Sequence, residues 1–395
     1  MRFGFEITDE EEMIAKVAGD FAQKRLAGGA HERDRGGKFP TGEIRELGAL
    51  GLLAMKVSPD DGGAGASNVG YVLAMQAIAR ACASTAVILA SSNLAAKLLA
   101  DHASDAQRAQ WLLPLTRGEC ASFALTEPRG GSDASAIATR ARLEGDAWIL
   151  DGEKSWITSA AHAAFHLVFA RTTEDGGAQR SVRDETAETI HKQGIGCFIV
   201  PRGAPGLVVG KEEDKMGQRS SGTATLAFDA CRVPRENLLG ARGGGYAMAL
   251  SALGAGRVGI AALSLGIAEA AFDLGVAYAK ERRVFGQALA DFQNTQFVLA
   301  DSRTELDAAW LLTLRAARAL DAGERASSEA SMAKLFASET CGRVVDRVVQ
   351  IHGGYGYSRE FPIERLYRDA RVTRIYEGTS EIQRIVIARA TLRAS

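Results

Sequence analysis

Several short segments of this 395-residue chain combine residue types that could bind an anion, hold a flat aromatic ligand or move a proton. The first segment spans 125–133. Its adjacent glycines, Gly130 and Gly131, would leave backbone N–H groups open to a phosphate, and Ser132 could donate a further hydrogen bond. The same residues also suit an ordinary turn at the end of a strand, and the local sequence leaves both interpretations open.

Two further segments combine aromatic surface with hydrogen-bond donors. Trp156 offers a flat face for stacking, and Thr158, two residues on, would point to the same side of a strand. The alternative for Trp156 is an ordinary core residue. Farther along, Arg282 and Arg283 precede Phe285, a combination that suits a pyrophosphate with an adjacent ring. A solvated helix end is the competing interpretation there.

The fourth segment, 374–381, contains a glutamate that could serve as a base. Glu377 precedes Gly378 and the cap-like Thr379, so it is predicted to lie in a loop just before the final helix. A carboxylate in such a loop can leave solvent, which raises its pKa toward that of a useful base. Taken alone, Glu377 could equally be an exposed surface residue.

Metal and disulfide chemistry find little support in the sequence. His162 and His166 lie four residues apart, as two zinc ligands on one helix would, but no third ligand is evident. We therefore predict no metal site. The five cysteines are widely spaced and form no CxxC motif, which favours reduced thiols in a reducing compartment.

The composition is that of a globular protein without the charge imbalance that nucleic acid or an anionic membrane would attract. Hydrophobic residues make up 46% of the chain, and the formal net charge is −1. The longest apolar runs, such as 86–90, are too short to span a bilayer. Residues 1–9 carry acids and lack the apolar region of a signal peptide, so a soluble cytoplasmic protein is expected.

The elements that must position these segments fall into three predicted regions of an α+β multidomain chain. Residues 1–120 are predicted to form a helical domain that begins with a capping box at Thr8. Residues 121–235 show short apolar or alternating runs between turn residues, which indicates a small antiparallel β-barrel or sandwich. Residues 236–395 favour an antiparallel helical bundle. The glycines at 243–245 do not match a GxGxxG after a strand, so a dinucleotide-binding sheet is not predicted.

Together and in this order, the segments resemble the acyl-CoA dehydrogenase family. The resemblance covers nearly the whole chain and includes 217–234, which is similar to that family's Gly…Ser…Phe…Val-Pro segment. The motifs that carry it are Thr126-Glu127-Pro128 with Gly130-Gly131-Ser132-Asp133, Trp156-Ile157-Thr158, Arg282-Arg283-Val284-Phe285-Gly286, Gln350-Ile351-His352-Gly353-Gly354 and Tyr376-Glu377-Gly378-Thr379.

The resemblance implies a fold, an assembly and a cofactor. Family members have an N-terminal helical domain, a middle β-barrel and a C-terminal four-helix bundle, form homotetramers or sometimes dimers, and bind FAD. The implied FAD-binding positions within one subunit are Phe123, Leu125, Thr126, Gly131, Ser132, Trp156, Ile157 and Thr158, with Thr379, Ser380 and Glu381 at the adenosine part. The positions implied to reach FAD from the adjoining subunit are Arg282, Gln293, Gln350, Ile351, Gly353 and Gly354, and Phe285 is a further implied cofactor-binding position.

The resemblance also implies a reaction. Family members remove two hydrogens from an acyl-CoA thioester, in fatty acid or amino acid catabolism, to give a trans-2-enoyl-CoA. Their reduced FAD passes electrons to an electron-transfer flavoprotein. By this resemblance Glu377 abstracts the α-proton while flavin N5 accepts the β-hydride. The positions implied along the acyl-CoA are Ser132, Arg257, Tyr376 and Gly378.

Three features of the chain bear on how the family pattern applies. Some members place the base just before the arginine at position 257, but Gly256 cannot act as a base, which leaves Glu377. The family often has an aspartate three residues before that arginine; Gly254 at this position leaves the CoA contact open. The polar segment 174–192, predicted to be a long surface loop, is longer than is usual in the family.

Two alternative functions remain. An acyl-CoA oxidase or a flavin monooxygenase could use the same fold, although the intact motif at 376–379 argues against a monooxygenase and the compact length against the larger oxidases. A non-catalytic helical scaffold is the second alternative, against which the intact flavin and base motifs argue. The sequence does not determine the acyl chain, but the C-terminal region resembles the subfamilies that act on short or branched chains.

Overall fold

A computed structural model describes residues 6–172 and 194–394 of the chain. Two helical parts enclose, in sequence order, a part built around a β-sheet, which agrees with the predicted α+β organisation. The domain boundaries after residues 120 and 235 stay predictions. The segment 174–192, predicted to be a surface loop, lies outside the described residues.

The N-terminal part begins with the predicted capping box. Thr8 Oγ1 accepts a hydrogen bond from the Glu11 backbone N–H at 3.3 Å, and the Glu11 carboxylate accepts one from the Thr8 N–H at 3.0 Å. The helices that follow are α1 (Asp9–Phe21), α2 (Ala30–Gly36), α3 (Thr41–Ala49), α4 (Asn68–Ala81), α5 (Ala83–His102), α6 (Asp105–Trp111) and α7 (Leu113–Thr116), with a π-helical turn at Ala22–Ala27 after α1.

The middle part is one mixed β-sheet. Its strands are β1 (Ala121–Ala124), β2 (Arg140–Glu144), β3 (Ala147–Thr158), β4 (Phe165–Thr172), β5 (Ile195–Pro201), β6 (Leu207–Val209), β7 (Thr223–Pro234) and β8 (Leu238–Leu239). Across the sheet the order is β6-β7-β3-β2-β4-β5-β8, and β1 pairs with β4. The side chains of the long strands β3, β4 and β7 supply most of the apolar core of this part.

The prediction that this sheet is antiparallel is wrong for two of its pairings. β1 and β2 both run parallel to β4, while the other neighbouring strands are antiparallel. β2 and β3 form a hairpin, and the chain then turns into β4 in the original direction. β4 therefore runs in the same direction as β2, and the two strands pair in parallel. Turn residues indicate only where the chain reverses, so they do not show which strands become neighbours.

The C-terminal part consists of long helices. They are α8 (Gly245–Glu281), α9 (Gln293–Asp321), α10 (Ser327–His352), α11 (Pro362–Arg371) and α12 (Ser380–Ala394), with a short hairpin of β9 (Arg283–Val284) and β10 (Gln287–Ala288) between α8 and α9. Leu306 and Leu314, near the middle of α9, are buried. α8 packs against α4, α9 and α10, so one hydrophobic core spans the two helical parts.

Helices α5 and α8 are long and apolar enough, by length and composition, to cross a membrane. The expectation that no apolar stretch reaches that length rested on unbroken runs such as 86–90. Serine and glycine interrupt these runs without making the whole helix polar. In the folded chain 83% of the most apolar window of α5 and 61% of that of α8 are buried inside the protein. An apolar surface on all sides suits a helix at the centre of a large core.

A part-buried ion network joins the first helices to α11. The guanidinium of Arg368 donates to both carboxylate oxygens of Asp34, at 3.0 and 2.7 Å, and to both of Glu364, at 2.8 and 2.9 Å. Its side chain is 18% exposed. Bidentate charge-assisted bonds of this kind are among the stronger ones in proteins, because their geometry is fixed and solvent is largely excluded.

We expect Arg368→Met to destabilise the protein through this junction. It leaves two part-buried carboxylates without their shared donor, which costs about 1.5–3 kcal/mol per lost charged hydrogen bond before relaxation. A thermal melt should show a midpoint lowered by several degrees. The matched control is Arg142→Met, because Arg142 is half exposed and its ion pairs are worth about 1 kcal/mol or less. Equal midpoints for the two variants would contradict the assignment.

Candidate active site

Glu377 lies in the loop before α12, as predicted, and in an unusual backbone conformation. Its φ is +53°, and Gly378 follows with a φ of +87°. Glycine adopts such values freely, but a residue with a side chain persists there only where its surroundings enforce the conformation. The loop therefore needs partners elsewhere in the fold.

Two side chains supply those partners. The Lys334 ammonium, on α10, donates to the Gly378 carbonyl oxygen at 2.7 Å. The Gln383 side-chain amide, on α12, donates to the carbonyls of Gly378 at 2.8 Å and of Glu377 at 3.2 Å. The Gly378 carbonyl is thus held by donors from two helices, and the Glu377 carbonyl by the donor from α12.

The Glu377 side chain is enclosed beside α8. Its Oε2 atom is buried and has no hydrogen-bond partner within the described part of the chain. A Cβ added to Gly256 would lie 2.9 Å from this oxygen and 3.1 Å from Leu94 Cδ1. Glycine at 256 therefore leaves the space that the carboxylate occupies. A buried carboxylate oxygen without a partner is costly unless a ligand uses it.

Burial sets the acidity of this carboxyl group. Loss of solvent raises the pKa of Glu377 to about 7, although the charges of Lys334 and Arg257 act in the opposite direction. Burial also raises the pKa of the nearby Tyr71 hydroxyl, and the Glu377 charge adds to that effect. A carboxyl group that titrates near neutral pH, with a free oxygen, can accept a proton from a bound ligand.

A third set of contacts connects the Glu377 loop to the middle part. The Gln218 side-chain amide donates to the Tyr376 hydroxyl at 3.2 Å and to the Asp369 carbonyl oxygen at 3.2 Å. Asp369 is buried, and burial raises the pKa of its carboxyl to about 6. Because Gln218 belongs to the loop before β7, the residue preceding the candidate base is fixed against the sheet.

The predicted anion-binding segment and the Trp156 segment lie side by side. The Ser155 N–H donates to the Thr126 carbonyl at 2.9 Å. The register of β3 shifts between Lys154 and Ile157, and Trp156 adopts a φ of +61°. Its ring is consequently 64% exposed, while Ile157 beside it is buried. Trp156 is not a core residue, whereas the Ile157 side chain is one.

A buried ion pair holds this arrangement from behind. The Lys154 ammonium, fully buried, donates to Glu127 Oε1 at 2.7 Å and to the Leu125 carbonyl at 3.1 Å. Glu127 also accepts hydrogen bonds from the backbone N–H groups of Ala138 and Thr139, at 2.7 and 3.0 Å. The pair thus joins the start of the glycine-rich segment, at Leu125 and Glu127, to β3, and Glu127 also holds the backbone that follows the segment.

The exposed side of this arrangement fits FAD, the cofactor that the resemblance implies. Trp156 presents an open aromatic face, and Thr158 beside it is half-buried. A shallow cleft is lined by Leu125, Thr126, Gly130 and Gly131 among others, and Ser132 is exposed next to it. An aromatic surface suits a flavin ring, and backbone N–H groups beside a hydroxyl suit a pyrophosphate.

The remaining predicted cofactor residues form a separate exposed surface. Arg282 ends α8 and lies 5.8 Å from the centre of the Tyr355 ring, in the turn after α10. Phe285, with a φ of +51°, is 96% exposed. Also exposed there are Gln293, Gln350, Gly353 and Gly354, while Ile351 is half-buried. The fold thus brings the arginine segment and the glycine segment together in one exposed surface.

The predicted substrate positions differ in exposure. Arg257 is buried and donates to Ser331 Oγ at 3.1 Å, and burial lowers the pKa of its guanidinium. Tyr376 is half-buried. Of the predicted adenosine contacts, Ser380 is buried and donates to Glu339 at 2.8 Å, while Glu381 is exposed and Thr379 half-buried.

Sequence analysis missed Lys334, Gln383, Tyr71 and Gln218. Only Lys334 had a clear signal, because it stands at helical spacing from the buried Ala330 and Ala337 on the apolar face of α10. A lysine on that face is expected to have a special partner. Gln383, Tyr71 and Gln218 gave no such signal, because polar residues of these types are also common on protein surfaces.

The two histidines four residues apart are not on a helix. His166 lies in β4, buried, with Nδ1 2.6 Å from Ser122 Oγ, and burial lowers its pKa to about 4. His162 precedes the strand and contacts Glu212 at 2.8 Å. Within residues 6–172 and 194–394, no cluster of three metal-binding side chains occurs.

Comparison with known proteins gives matches along almost the whole chain. Residues 8–119 match the family model for the acyl-CoA dehydrogenase N-terminal domain, residues 122–231 that for the middle domain and residues 243–392 that for the C-terminal domain. The chain is 46% identical to the mitochondrial short-chain specific acyl-CoA dehydrogenase of Mus musculus, over 98% of this chain and 92% of the relative.

Solved structures agree with these matches. Butyryl-CoA dehydrogenase from Megasphaera elsdenii superposes with a TM-score of 0.92 at 38% identity, covering 98% of this chain and all of the other. A chain from a study of the electron transferring flavoprotein of Acidaminococcus fermentans gives a TM-score of 0.93 at 39% identity, covering 98% and 99% of the two chains.

We expect Lys154→Met to lower both stability and FAD retention. It leaves the Glu127 carboxylate buried without its counter-ion, a change that costs about 3–5 kcal/mol in other proteins. The glycine-rich segment should loosen as a result. Thermal unfolding and the absorbance of released flavin measure the two effects.

Lys97→Met is the matched control for this variant, because Lys97 is exposed and paired with Asp101 one turn away. The control should behave like the parent. A Lys154→Met protein that keeps a full complement of FAD and the parent's melting midpoint would show that the buried pair does not hold the segment.

Proposed function

This chain belongs to the acyl-CoA dehydrogenase family, and from that premise we propose that Glu377 is the base that removes the α-proton of its acyl-CoA substrate. The chain is an FAD-dependent oxidoreductase, as the family is. The observation that carries the proposal is the enclosed, unpartnered Oε2 of Glu377 on a carboxyl group whose pKa is raised to about 7.

The chain's own groups account for the proton transfer. A thioester α-proton is weakly acidic. Its removal therefore requires a base whose pKa is near the working pH, and hydrogen-bond donors to the thioester carbonyl. Glu377 supplies the base, and its own backbone N–H is the donor that we propose for the thioester carbonyl. Lys334 and Arg257 stabilise the negative charge of Glu377 before it takes the proton. FAD, when bound, supplies the acceptor for the β-hydride.

The cofactor and substrate positions follow from the two surfaces described above. The flavin end of FAD is assigned to Trp156, Thr158 and the 123–132 segment, with Ile157 contributing backbone only. Thr379, Ser380 and Glu381 are assigned to the adenosine part. The acyl-CoA is assigned a path past Ser132, Tyr376 and Gly378. Arg257 is buried, and its charge favours the ionised form of Glu377. Its proposed effect on the substrate therefore acts through the charge of Glu377.

The assembly proposed for the chain is a homotetramer, or a dimer that retains the same FAD contacts. Its support is the exposed surface of Arg282, Phe285, Gln293, Gln350 and Gly353, whose side chains and turns face away from their own subunit. These residues suit a pyrophosphate and ring held mainly by another subunit. Closure of the sheet into a barrel and a four-helix form of the last domain belong to the same proposal.

Short acyl chains, a cytoplasmic location and an electron-transfer flavoprotein as acceptor complete the proposal. The matched relatives include short-chain and butyryl-CoA dehydrogenases, and one matched chain comes from a study of an electron transferring flavoprotein. Leu94 contacts the space beside Gly256 and Glu377, so α5 forms one wall of the reacting end. An oxidase or an inactive scaffold remains the alternative, and rapid flavin reduction without fast reoxidation by oxygen would exclude both.

Glu377→Gln is expected to slow flavin reduction by roughly a hundredfold to ten-thousandfold, because it keeps size and polarity but removes the base. FAD and acyl-CoA should still bind. Stopped-flow absorbance at saturating acyl-CoA measures the rate. In the parent, the rate should rise with pH as Glu377 loses its proton near pH 7.

A Glu377→Gln rate within about threefold of the parent would overturn the assignment of the base. Gly256→Glu combined with Glu377→Gly places a carboxylate beside the same space, because the shortened residue 377 leaves room for a side chain at 256. Partial recovery of flavin reduction in the double variant would support the location of the reacting carbon. Glu10→Gln is the control, because Glu10 is exposed in the first turn of α1 and is none of the residues assigned to FAD or acyl-CoA.

The preferred substrate is expected to be a short-chain acyl-CoA such as butyryl-CoA, because the matched relatives are short-chain and butyryl-CoA dehydrogenases. Apolar pockets discriminate by about 1–3 kcal/mol per methylene, so the preference should be measurable. An anaerobic titration of the purified protein across acyl-CoA lengths, read as loss of flavin absorbance, gives the preference. Faster reduction by long-chain than by butyryl-CoA would refute the short-chain assignment without affecting that of the base.

A further inference from the structure

Lys334 is buried on the apolar face of α10 and points at the loop of the candidate base. Its side chain is fully buried, beside Ala330, Ala333 and Ala337 on the same helix. Its ammonium donates to the Gly378 carbonyl oxygen at 2.7 Å. This contact joins residues 44 positions apart in the chain.

A buried lysine is costly unless a carboxylate compensates its charge. Lys154 shows the usual arrangement, with Glu127 accepting a hydrogen bond at 2.7 Å. Lys334 differs, because in the described residues its hydrogen bond goes to a main-chain carbonyl. Burial lowers the pKa of Lys334 to about 8, and among the carboxylates that oppose this effect Glu377 acts most strongly, ahead of Glu339 and Glu381. The charge of Lys334 is thus directed at the candidate base.

We propose that Lys334 is a positioning residue for Glu377: its ammonium holds the left-handed turn at 377–378 through the Gly378 carbonyl and stabilises the ionised carboxylate. The proposal rests on the assignment of Glu377 as the base. The turn needs such a contact because Glu377 has a φ of +53°. The Gln383 amide donates to the same carbonyl but carries no charge. Of these two residues, Lys334 alone combines a hydrogen bond to the turn with a positive charge.

The charged and titratable groups around Glu377 define what Lys334 contributes. Arg257 on α8 also favours the ionised form of Glu377, and Tyr71 on α4 faces it with a hydroxyl of raised pKa. Tyr376 precedes it in the loop, and burial likewise raises the pKa of that hydroxyl. Of the two cations, Lys334 has the larger effect on the pKa of Glu377.

The direction of the pH effect follows from these charges. Glu377 works as a base when it is ionised, and the positive charge of Lys334 lowers the pKa of Glu377. Loss of that charge therefore raises the pKa of Glu377, and the acidic limb of the pH–rate profile moves to higher pH. Above the new limb the base is ionised again, so a rate defect caused by charge alone disappears at alkaline pH.

Two substitutions separate the charge from the hydrogen bond. Lys334→Met removes both, whereas Lys334→Gln removes the charge and keeps a donor for the Gly378 carbonyl. The FAD-loaded enzymes are compared by stopped-flow flavin reduction at saturating butyryl-CoA from pH 6 to pH 9. Both variants should shift the acidic limb upward by about one pH unit. The alkaline plateau should fall about tenfold in Lys334→Met and less in Lys334→Gln.

Lys56→Met is the matched control. Lys56 is another lysine whose pKa burial lowers to about 8, and it lies 4.6 Å from the centre of the Tyr71 ring rather than at the loop. This variant should leave the acidic limb where the parent has it. The comparison separates loss of a desolvated lysine in general from loss of the one at Glu377.

Three outcomes would overturn the proposal. The first is an acidic limb within about 0.2 pH units of the parent in both Lys334 variants. The second is an equal shift in Lys56→Met. The third is failure of both Lys334 variants to retain FAD, which would make Lys334 a residue of the fold alone. Because Glu377→Gln is measured separately, a slow Glu377→Gln with an unshifted Lys334→Gln rejects this proposal and leaves the base assignment in place.

Discussion

The site depends on one constraint: a glutamate carboxylate must be kept away from water while its backbone stays in a left-handed turn. Burial raises the pKa of Glu377 to about 7, and the φ of +53° is unfavourable for a residue with a side chain. Neither condition can arise from the loop alone. Three helices meet to impose them, with Lys334 from α10, Gln383 from α12 and the gap at Gly256 from α8.

Positive φ values mark other predicted site residues as well. Trp156 and Phe285 have φ values of +61° and +51°, and both rings are exposed. A side chain in this region leaves the regular alternation of its strand or hairpin, so it can point out of the fold where neighbours point in. Strain is thus placed where an aromatic ring is exposed, and behind Trp156 the buried pair of Lys154 with Glu127 supports the strand.

Lys154 and Lys334 are both fully buried, but their charges have different partners. Lys154 donates to the Glu127 carboxylate and to the Leu125 carbonyl, so its charge is compensated within the local fold. Lys334 is bound to a carbonyl, so its charge remains available to Glu377. In both cases the low-dielectric surroundings enlarge the effect of a charge on its neighbour.

The sequence by itself determined the motifs, their order, the three-part organisation, the family and a glutamate in the loop before the last helix. These features are local, because capping, turn residues and hydrophobic periodicity act over a few positions. Only the tertiary structure decided that β1 and β2 run parallel to β4, that Gly256 leaves room for a carboxylate, and that Lys334 lies at Gly378. Contacts across 44 positions, and the desolvation that accompanies them, depend on how helices pack, which no short stretch of sequence encodes.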